Sequence, residues 1–376
     1  MVIDIDREEI KQVDDSSILQ QTTLWAEIKR RQGLLPEAFR IRMNSADLYA
    51  KGQKEKLIEE DLLVFLQPFD RDHTIAYVPY GPLAEPSEEN QGTFLEELSE
   101  MLRTCLPENC ILIRYDLHWE SPWAKEDNRF DVNGNWIGPP DKEHQELRIN
   151  FCTHNHNLYK ANTDILPSHT IFMDLNKDRD ELLKTMKPKT RYNIRLSKKR
   201  GVHVRSIDED DLGIWHDLYT ETSKRNGIYA SNIDYFRTLL HVNKNCSDSD
   251  AEVKLLLAEA DEKPLAAMFL SISGKRGTYL YGASSSENRK FMATYALQWE
   301  AMNISRKKGC SEYDFFGISP TPDPNHPLYG LYRYKSGFGG KIFHRMGCWD
   351  YLLSPGKYDA VRAADMHNRG IHQVNV

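Results

Sequence analysis

VKLLLAEADEKPLAAMFLSISGKRGTYLYGAS, residues 253–284, holds three apolar runs separated by two turn signals. Asp261-Glu262-Lys263-Pro264 and Gly274-Lys275-Arg276-Gly277 are rich in turn formers, and each run between them has the length of a strand. The spacing predicts an antiparallel meander. A helix is expected next, from about Phe291 to Lys308, with Tyr295, Trp299 and Met302 on its core side and Gly309 as its stop. Tyr313, Phe315 and Phe316 read as a strand ending at Gly317, and Pro320, Pro322, Pro324 and Pro327 forbid regular structure after it.

Beyond the prolines comes LYRYKSGFGG, residues 331–340, where Lys335 sits among aromatics and is followed by Gly337, Gly339 and Gly340. Glycines let a backbone approach a ligand, and a lysine held among rings is partly dehydrated, which strengthens its pull on developing negative charge. A solvated lysine on a surface hairpin fits the same residues.

Upstream of the meander, residues 210–243 predict two helices broken at Asn226-Gly227, with Trp215, Leu218 and Tyr219 on one apolar face and Tyr235, Phe236 and Leu239 on the other. Before them lies a dense basic stretch. Lys184, Lys187, Lys189, Arg191, Arg195, Lys198, Lys199 and Arg200 follow one another with no acid between. On a helix, Lys189, Arg191 and Arg195 would gather on one side while Tyr192 and Leu196 pack inward. The cluster fits either a phosphate-binding footprint for RNA or a nucleotide, or a merely solvated basic helix. A strand near HTIFMDL, residues 169–175, is expected to begin the second domain.

The first part of the chain predicts a helix from Thr22 or Thr23, with Trp25 and Ile28 on one face and Lys29 beside Trp25. Lys29 there is either solvated or directed at a ligand. Strands follow at 62–69 and 75–83, then a helix from about Thr93. The strand CILIRYDLH puts Asp116 just beyond a buried apolar run, where a carboxylate either orients an amine or caps the next turn. Residues 119–147, rich in Asp, Asn, Gly and Pro and carrying Trp119, Trp123 and Trp136, read as an irregular insertion or lid.

Bulk properties narrow the class. With 376 residues the chain suffices for two domains, and 40% hydrophobic and 28% charged residues are those of a soluble globular protein. The 56 acidic residues against 49 basic ones give a formal charge of -7, so an anionic partner must be read from local patches. The first 30 residues lack a leader pattern and no run approaches the apolar length of a spanning helix, which predicts a cytosolic protein without an integral membrane segment. Six cysteines without CxxC spacing read as reduced thiols in or near cores, with no metal site.

The order helices, meander, helix, final strand is similar to that of a GNAT-type acyltransferase half. The glycine-lined loop that cradles the CoA pyrophosphate in that fold is missing between Ala283 and Met292, where the chain reads SSSENRKFM at 284–292. A donor other than acyl-CoA is therefore expected. KTRYNIRLSKKRGV (189–202), RNGI with a following DYF (225–236), TYLYGASS (278–285) ahead of ATYALQWEAM (293–302), YDFFGI (313–318) and LYRYKSGFGGK (331–341) together resemble the Fem family of peptidoglycan-bridge aminoacyltransferases. WAEIK (25–29) and YVPYGP (77–82) resemble that family's first domain.

The resemblance implies an α+β fold of two GNAT-like domains, with mixed, mostly antiparallel sheets flanked by helices and a cleft between them. The first would comprise 1–165 plus 345–376 and the second 166–344. It implies transfer of an amino acid from aminoacyl-tRNA to the side-chain amine of a stem peptide, in UDP-MurNAc-pentapeptide or its lipid-linked form. No cofactor is implied, the expected state is a monomer, and a lipid-linked acceptor leaves room for peripheral membrane contact. Carried over by motif, Lys29 beside Trp25 would contact precursor phosphates, and Asp116 would lie near the accepting amine. Tyr235 and Tyr281 would line the stem-peptide site, and Tyr334 and Lys335 would form the aromatic-lysine pair facing the donor ester. The tRNA would lie on Lys187, Lys189, Arg191, Arg195, Lys198, Lys199 and Arg200. Ser231 stands where relatives using the nucleotide-linked precursor carry a basic residue, and the long helical arm of larger members is absent. Two other readings remain open: an acyl-CoA-dependent N-acyltransferase on the same fold, and a non-catalytic protein that binds tRNA or precursor.

Overall fold

Two runs of strands, each closed by a crossing helix and a parallel strand, build one continuous sheet. The computed structural model describes residues 1–49, 55–227 and 230–367. Ile228 of the RNGI motif and the last nine residues of the expected first domain lie outside them.

The first run is β1 (Ile3–Glu8), α1 (Thr23–Arg31), β2 (Leu35–Asn44), α2 (Ser45–Leu48), β3 (Leu57–Pro68) and β4 (Thr74–Pro79). Its strands pair antiparallel in order. Then α3 (Gln91–Arg103) crosses and delivers β5 (Cys110–Glu120) parallel to β4. After α4 (Lys142–Ile149), β6 (Leu158–Lys160) and β7 (His169–Asp174) come α5 (Arg179–Thr185), α6 (Pro188–Lys199), β8 (His203–Ile207), α7 (Leu212–Asn226) and α8 (Ile233–Asn245). The second run repeats the first: β9 (Glu252–Ala260), β10 (Lys263–Ser273) and β11 (Arg276–Ser284) form the meander, and α9 (Ala293–Lys307) delivers β12 (Glu312–Asp314) parallel to β11. The chain closes with α10 (Tyr329–Lys335), β13 (Lys341–Leu352) and α11 (Tyr358–His367).

β13 joins the two runs. Its residues Lys341–His344 pair with β7, whereas Arg345–Leu352 pair with β5, so the sheet reads β1-β2-β3-β4-β5-β13-β7-β12-β11-β10-β9-β8. A bulge between Arg345 and Gly347 accompanies the change of partner. Gly347 has φ +67°, and a Cβ there would stand 2.2 Å from the Asp164 carboxylate, so only glycine lets the two segments meet.

Local sequence explains the helix ends. The Thr22 hydroxyl caps α1 by accepting from the Trp25 amide, Asp178 and Glu181 form a capping box on α5, and Gly227 closes α7 in the left-handed region. Packing completes the fold. Phe39, Phe94, Tyr115 and Trp119 lie in the core of the first run, and Met268, Trp299, Tyr313 and Phe338 in that of the second. A third core fastens the runs together, with Trp25, Ile28 and Phe65 from one against Trp215, Phe236 and Phe269 from the other.

Several expectations change. Residues 329–335 form helix α10 rather than a hairpin, since the prolines end before Leu328 and nothing from Tyr329 to Lys335 breaks a helix beyond the weak Gly330. Asp116 lies within β5, which continues through Trp119 and Glu120, because Leu117 and Trp119 keep burying against the first core. The irregular segment is thus shorter than 119–147 at both ends, α4 occupying its last residues. Cys152 is exposed, unlike the buried Cys110, Cys310 and Cys348.

Candidate functional site

The parallel pair β4/β5 sets Pro79 beside Asp116 at the seam between the runs. Asp116 is 0% exposed. Its Oδ2 accepts from the Tyr77 hydroxyl at 3.0 Å and the Leu166 amide at 2.7 Å, whereas its Oδ1 is buried without a hydrogen-bond partner among the described residues. Burial, then the nearby Asp164 carboxylate, raises its pKa to about 7. Asp164 is itself paired: it accepts from the Lys160 ammonium at 2.9 Å and from the Cys348 amide at 2.8 Å. Trp123 and Trp136 from the irregular segment cover a cavity of about 110 Å³ beside this group, reaching Lys160, Asp164, His169 and Arg345. Trp136 stacks on His344 at 3.9 Å, and His344 and His169 share a 3.0 Å contact between their Nδ1 atoms. Burial keeps both imidazoles neutral, with pKa values lowered to about 3 and about 4.

Lys335 ends α10 and is 3% exposed. Its ammonium donates to the Gly317 carbonyl at 2.7 Å and the Phe316 carbonyl at 3.1 Å, and lies 5.0 Å from the centre of the Tyr279 ring. Burial, opposed by Asp314, lowers its pKa to about 7. A cation surrounded by carbonyls and a ring, without its own carboxylate, can turn toward another anion at little cost. Tyr334 serves differently: its hydroxyl donates to the Thr294 carbonyl at 2.8 Å and its ring packs on Tyr295 and Phe338, seating α10 against α9.

Between Asp116 and Lys335 lie residues that the sequence reading did not single out. Asp314 accepts from Thr170, from the Phe316 amide at 2.7 Å and from Arg345 at 2.9 Å. Arg345 also donates to the Pro167 carbonyl at 3.1 Å and lies 4.6 Å from the Tyr80 ring centre. Tyr80 donates to that same carbonyl at 2.6 Å. The signal was present in the repeated Tyr-Asp pair, Tyr115-Asp116 and Tyr313-Asp314, each on the strand delivered by a crossing helix.

A second group gathers where α1 meets α8. The Lys29 ammonium lies 4.7 Å from the Trp25 ring and 5.6 Å from that of Tyr235, and the Tyr235 and Tyr281 hydroxyls are 2.6 Å apart. Burial lowers the Lys29 pKa to about 8, and no hydrogen bond or ion pair holds its ammonium among the described residues. A bulge at Leu280 separates the two β11 tyrosines, placing Tyr281 by the joining core and Tyr279 under Lys335. Ser231 is buried just before Asn232, the residue that caps α8.

The basic stretch, apart from Lys184 in α5, follows α6 from its N-cap Lys187 to its C-cap Arg200. Lys187, Lys189, Arg195, Lys198, Lys199 and Arg200 are exposed and in no ion pair among the described residues, while Arg191 turns back to the Met186 carbonyl. The inward face is Thr190, Asn193, Ile194 and Ser197. Tyr192 points out, contrary to expectation, and Leu196 is only half-buried. Close contact fixes one point of this face: a Cβ on Gly337 would come within 2.5 Å of the Thr190 hydroxyl, so the start of α6 lies tight against that glycine. The Lys187 amide donates to the Gly337 carbonyl at 2.8 Å, which fastens the start of α6 two residues beyond Lys335.

A model of the FemAB family matches residues 10–248 and 243–366. Lipid II:glycine glycyltransferases of Staphylococcus epidermidis and Staphylococcus aureus are each 26% identical to the chain, over 254 and 259 residues, or 52% of its length. The chain covers 61% and 62% of those relatives, about three-fifths of their length. The crystal structure of FemX superposes with a TM-score of 0.68 at 20% identity, covering 94% of this chain and 96% of that one. A tandem GNAT protein from the clavulanic acid biosynthesis pathway gives 0.51 at 9% identity, covering 94% and 99%. These likenesses establish the doubled GNAT-like fold.

Proposed function

The chain belongs to the FemAB family, and from that premise we propose that it is an aminoacyltransferase, moving an amino acid from aminoacyl-tRNA to the side-chain amine of a peptidoglycan-precursor stem peptide. The observation that carries this reading is Lys335, a buried ammonium held, among the described residues, by two backbone carbonyls and a ring. An aminoacyl ester is already activated, so catalysis requires alignment of a neutral amine and stabilisation of the oxyanion that forms. Lys335 supplies the positive charge for that oxyanion. Asp116, with one oxygen unpartnered among the described residues, orients the accepting ammonium or takes its proton. Both groups are covered in this conformation, so the reading requires the 164–168 segment and the proline loop to part around the substrates.

Lys29, Trp25, Tyr235 and Tyr281 form the precursor groove, with Lys29 on the phosphates. Ser231 supplies no charge there, and the names of the staphylococcal relatives favour a lipid-linked acceptor. The exposed cations of α6 take the tRNA. The partner change in β13 supports a division into 1–165 plus 345–376 and 166–344. We place the enzyme in the cytoplasm as a monomer; among the described residues no helix is long and apolar enough to cross a membrane.

The test is transfer by the purified protein from a mixed aminoacyl-tRNA pool to nucleotide- and lipid-linked precursors. Lys335→Met should lower the rate by roughly 100- to 1,000-fold while precursor binding persists. Near-normal turnover in that variant would remove Lys335 from the mechanism.

A further inference from the structure

We infer that Tyr192 is a stacking platform for an unpaired nucleotide of RNA bound along α6, an inference that rests on the tRNA-dependent reading above. Tyr192 is 61% exposed in the middle of a helix whose own apolar contact, Ile194, is turned inward. Its neighbours one turn away on the helix surface are Lys189 and Arg195, both exposed and neither in an ion pair among the described residues. An open aromatic face flanked by unneutralised cations is the combination that holds single strands, the cations on phosphates and the ring on a base.

The surroundings favour this occupant over others. A duplex offers phosphates to the cations but keeps its bases stacked, leaving the ring without a partner. A membrane-surface helix would present several large apolar residues outward, whereas here the ring of Tyr192 stands among charges. Position adds a second argument. The start of α6 is bonded to Gly337, two residues after Lys335, and Tyr192 lies five residues further along, roughly 7.5 Å of helix axis. An unpaired strand stacked on Tyr192 and tracking toward the start of α6 is thereby led to the lysine proposed to face the ester.

Binding of the full chain to two RNA hairpins of equal phosphate count, one blunt and one with an unpaired four-nucleotide 3′ extension, tests the inference by fluorescence anisotropy. The wild type should prefer the extended hairpin, and Tyr192→Ala should weaken that complex about tenfold or more while leaving the blunt hairpin and the salt dependence unchanged. Tyr192→Phe should keep the preference, Tyr192→Trp should keep it and show quenched indole fluorescence, and Phe151→Ala, which alters a ring 81% exposed elsewhere, should change nothing. A preference that survives Tyr192→Ala overturns the inference alone. Wild-type binding to phosphatidylglycerol vesicles but to neither RNA reassigns the face to a membrane, and binding to none of the three overturns the RNA reading of α6 as well. Loss of transfer with hairpin preference intact would instead count against the function proposed above.

Discussion

Asp116 and Asp314 occupy matching places, each after a tyrosine on a strand that runs parallel to the last strand of its meander, yet their surroundings differ. Asp314 is saturated: a hydroxyl, an amide and a buried arginine hold it, and Arg345 is anchored in turn on Pro167 and Tyr80. Among the described residues, Asp116 has no cation bound to it and keeps one oxygen without a partner. The same sheet position thus yields a structural ion pair in one run and an acid poised near neutrality in the other. A buried polar group whose bonds are complete holds the fold, and one whose bonds are incomplete is available for chemistry.

The largest effect should come from breaking the saturated member. Asp314→Ala leaves the Arg345 guanidinium buried without its carboxylate, at a cost of about 3–5 kcal/mol in unfolding free energy, measurable by urea denaturation. A loss below about 1 kcal/mol would mean that Arg345 finds water or another partner.

The unsaturated groups should reveal themselves in the pH dependence of transfer. Lys335 carries its charge below about pH 7 and loses it above, while Asp116 becomes a carboxylate only as pH rises through about 7. If both charged forms are needed, the rate is a narrow bell centred near pH 7. Asp116→Asn should remove the acid limb, and Lys335→Arg should carry the alkaline limb upward, because a guanidinium stays charged. A flat profile between pH 6 and 8 would separate both residues from the rate-limiting step.

A smaller effect sharpens the same contrast. The folded pKa of Asp116, about 7, lies above its ordinary value of 3.8, so folding takes up a proton between those limits. The stabilising contribution is full below about pH 4 and is lost as pH rises through about 7. Asp116→Asn removes that loss, so the stability of the variant relative to the wild type should increase from pH 5 to pH 8. An unchanged difference across that range would show that the carboxyl is hydrated in the folded protein.

Much of this arrangement was legible in the residues. Apolar runs with turn signals between them located the second meander, α9 and β12, and the Trp25–Lys29 spacing foretold one wall of the Lys29 group. The duplication of topology was legible through the family resemblance and not through any internal repeat, since what repeats is the order of elements, and different side chains fill the two cores. Apolarity alone turns Tyr192 inward on α6, whereas the polar Thr190, Asn193 and Ser197 occupy that face together with Ile194. Asp314 passed unnoticed because the strand was read from its aromatic residues, Tyr313, Phe315 and Phe316. Its partner Arg345 is 31 residues further along, on a strand that changes neighbours there.

The central claim, transfer of an aminoacyl group from tRNA to a precursor amine, is tested most directly by the mass of the product. The protein would be given aminoacyl-tRNA and acetyl-CoA together, with lipid-linked and nucleotide-linked precursors in separate reactions. The account predicts a precursor heavier by one amino-acid residue, formed only when aminoacyl-tRNA is present and abolished by ribonuclease pretreatment of the donor. An acetylated precursor formed independently of tRNA, or an unmodified precursor from a protein that binds both substrates, would contradict it.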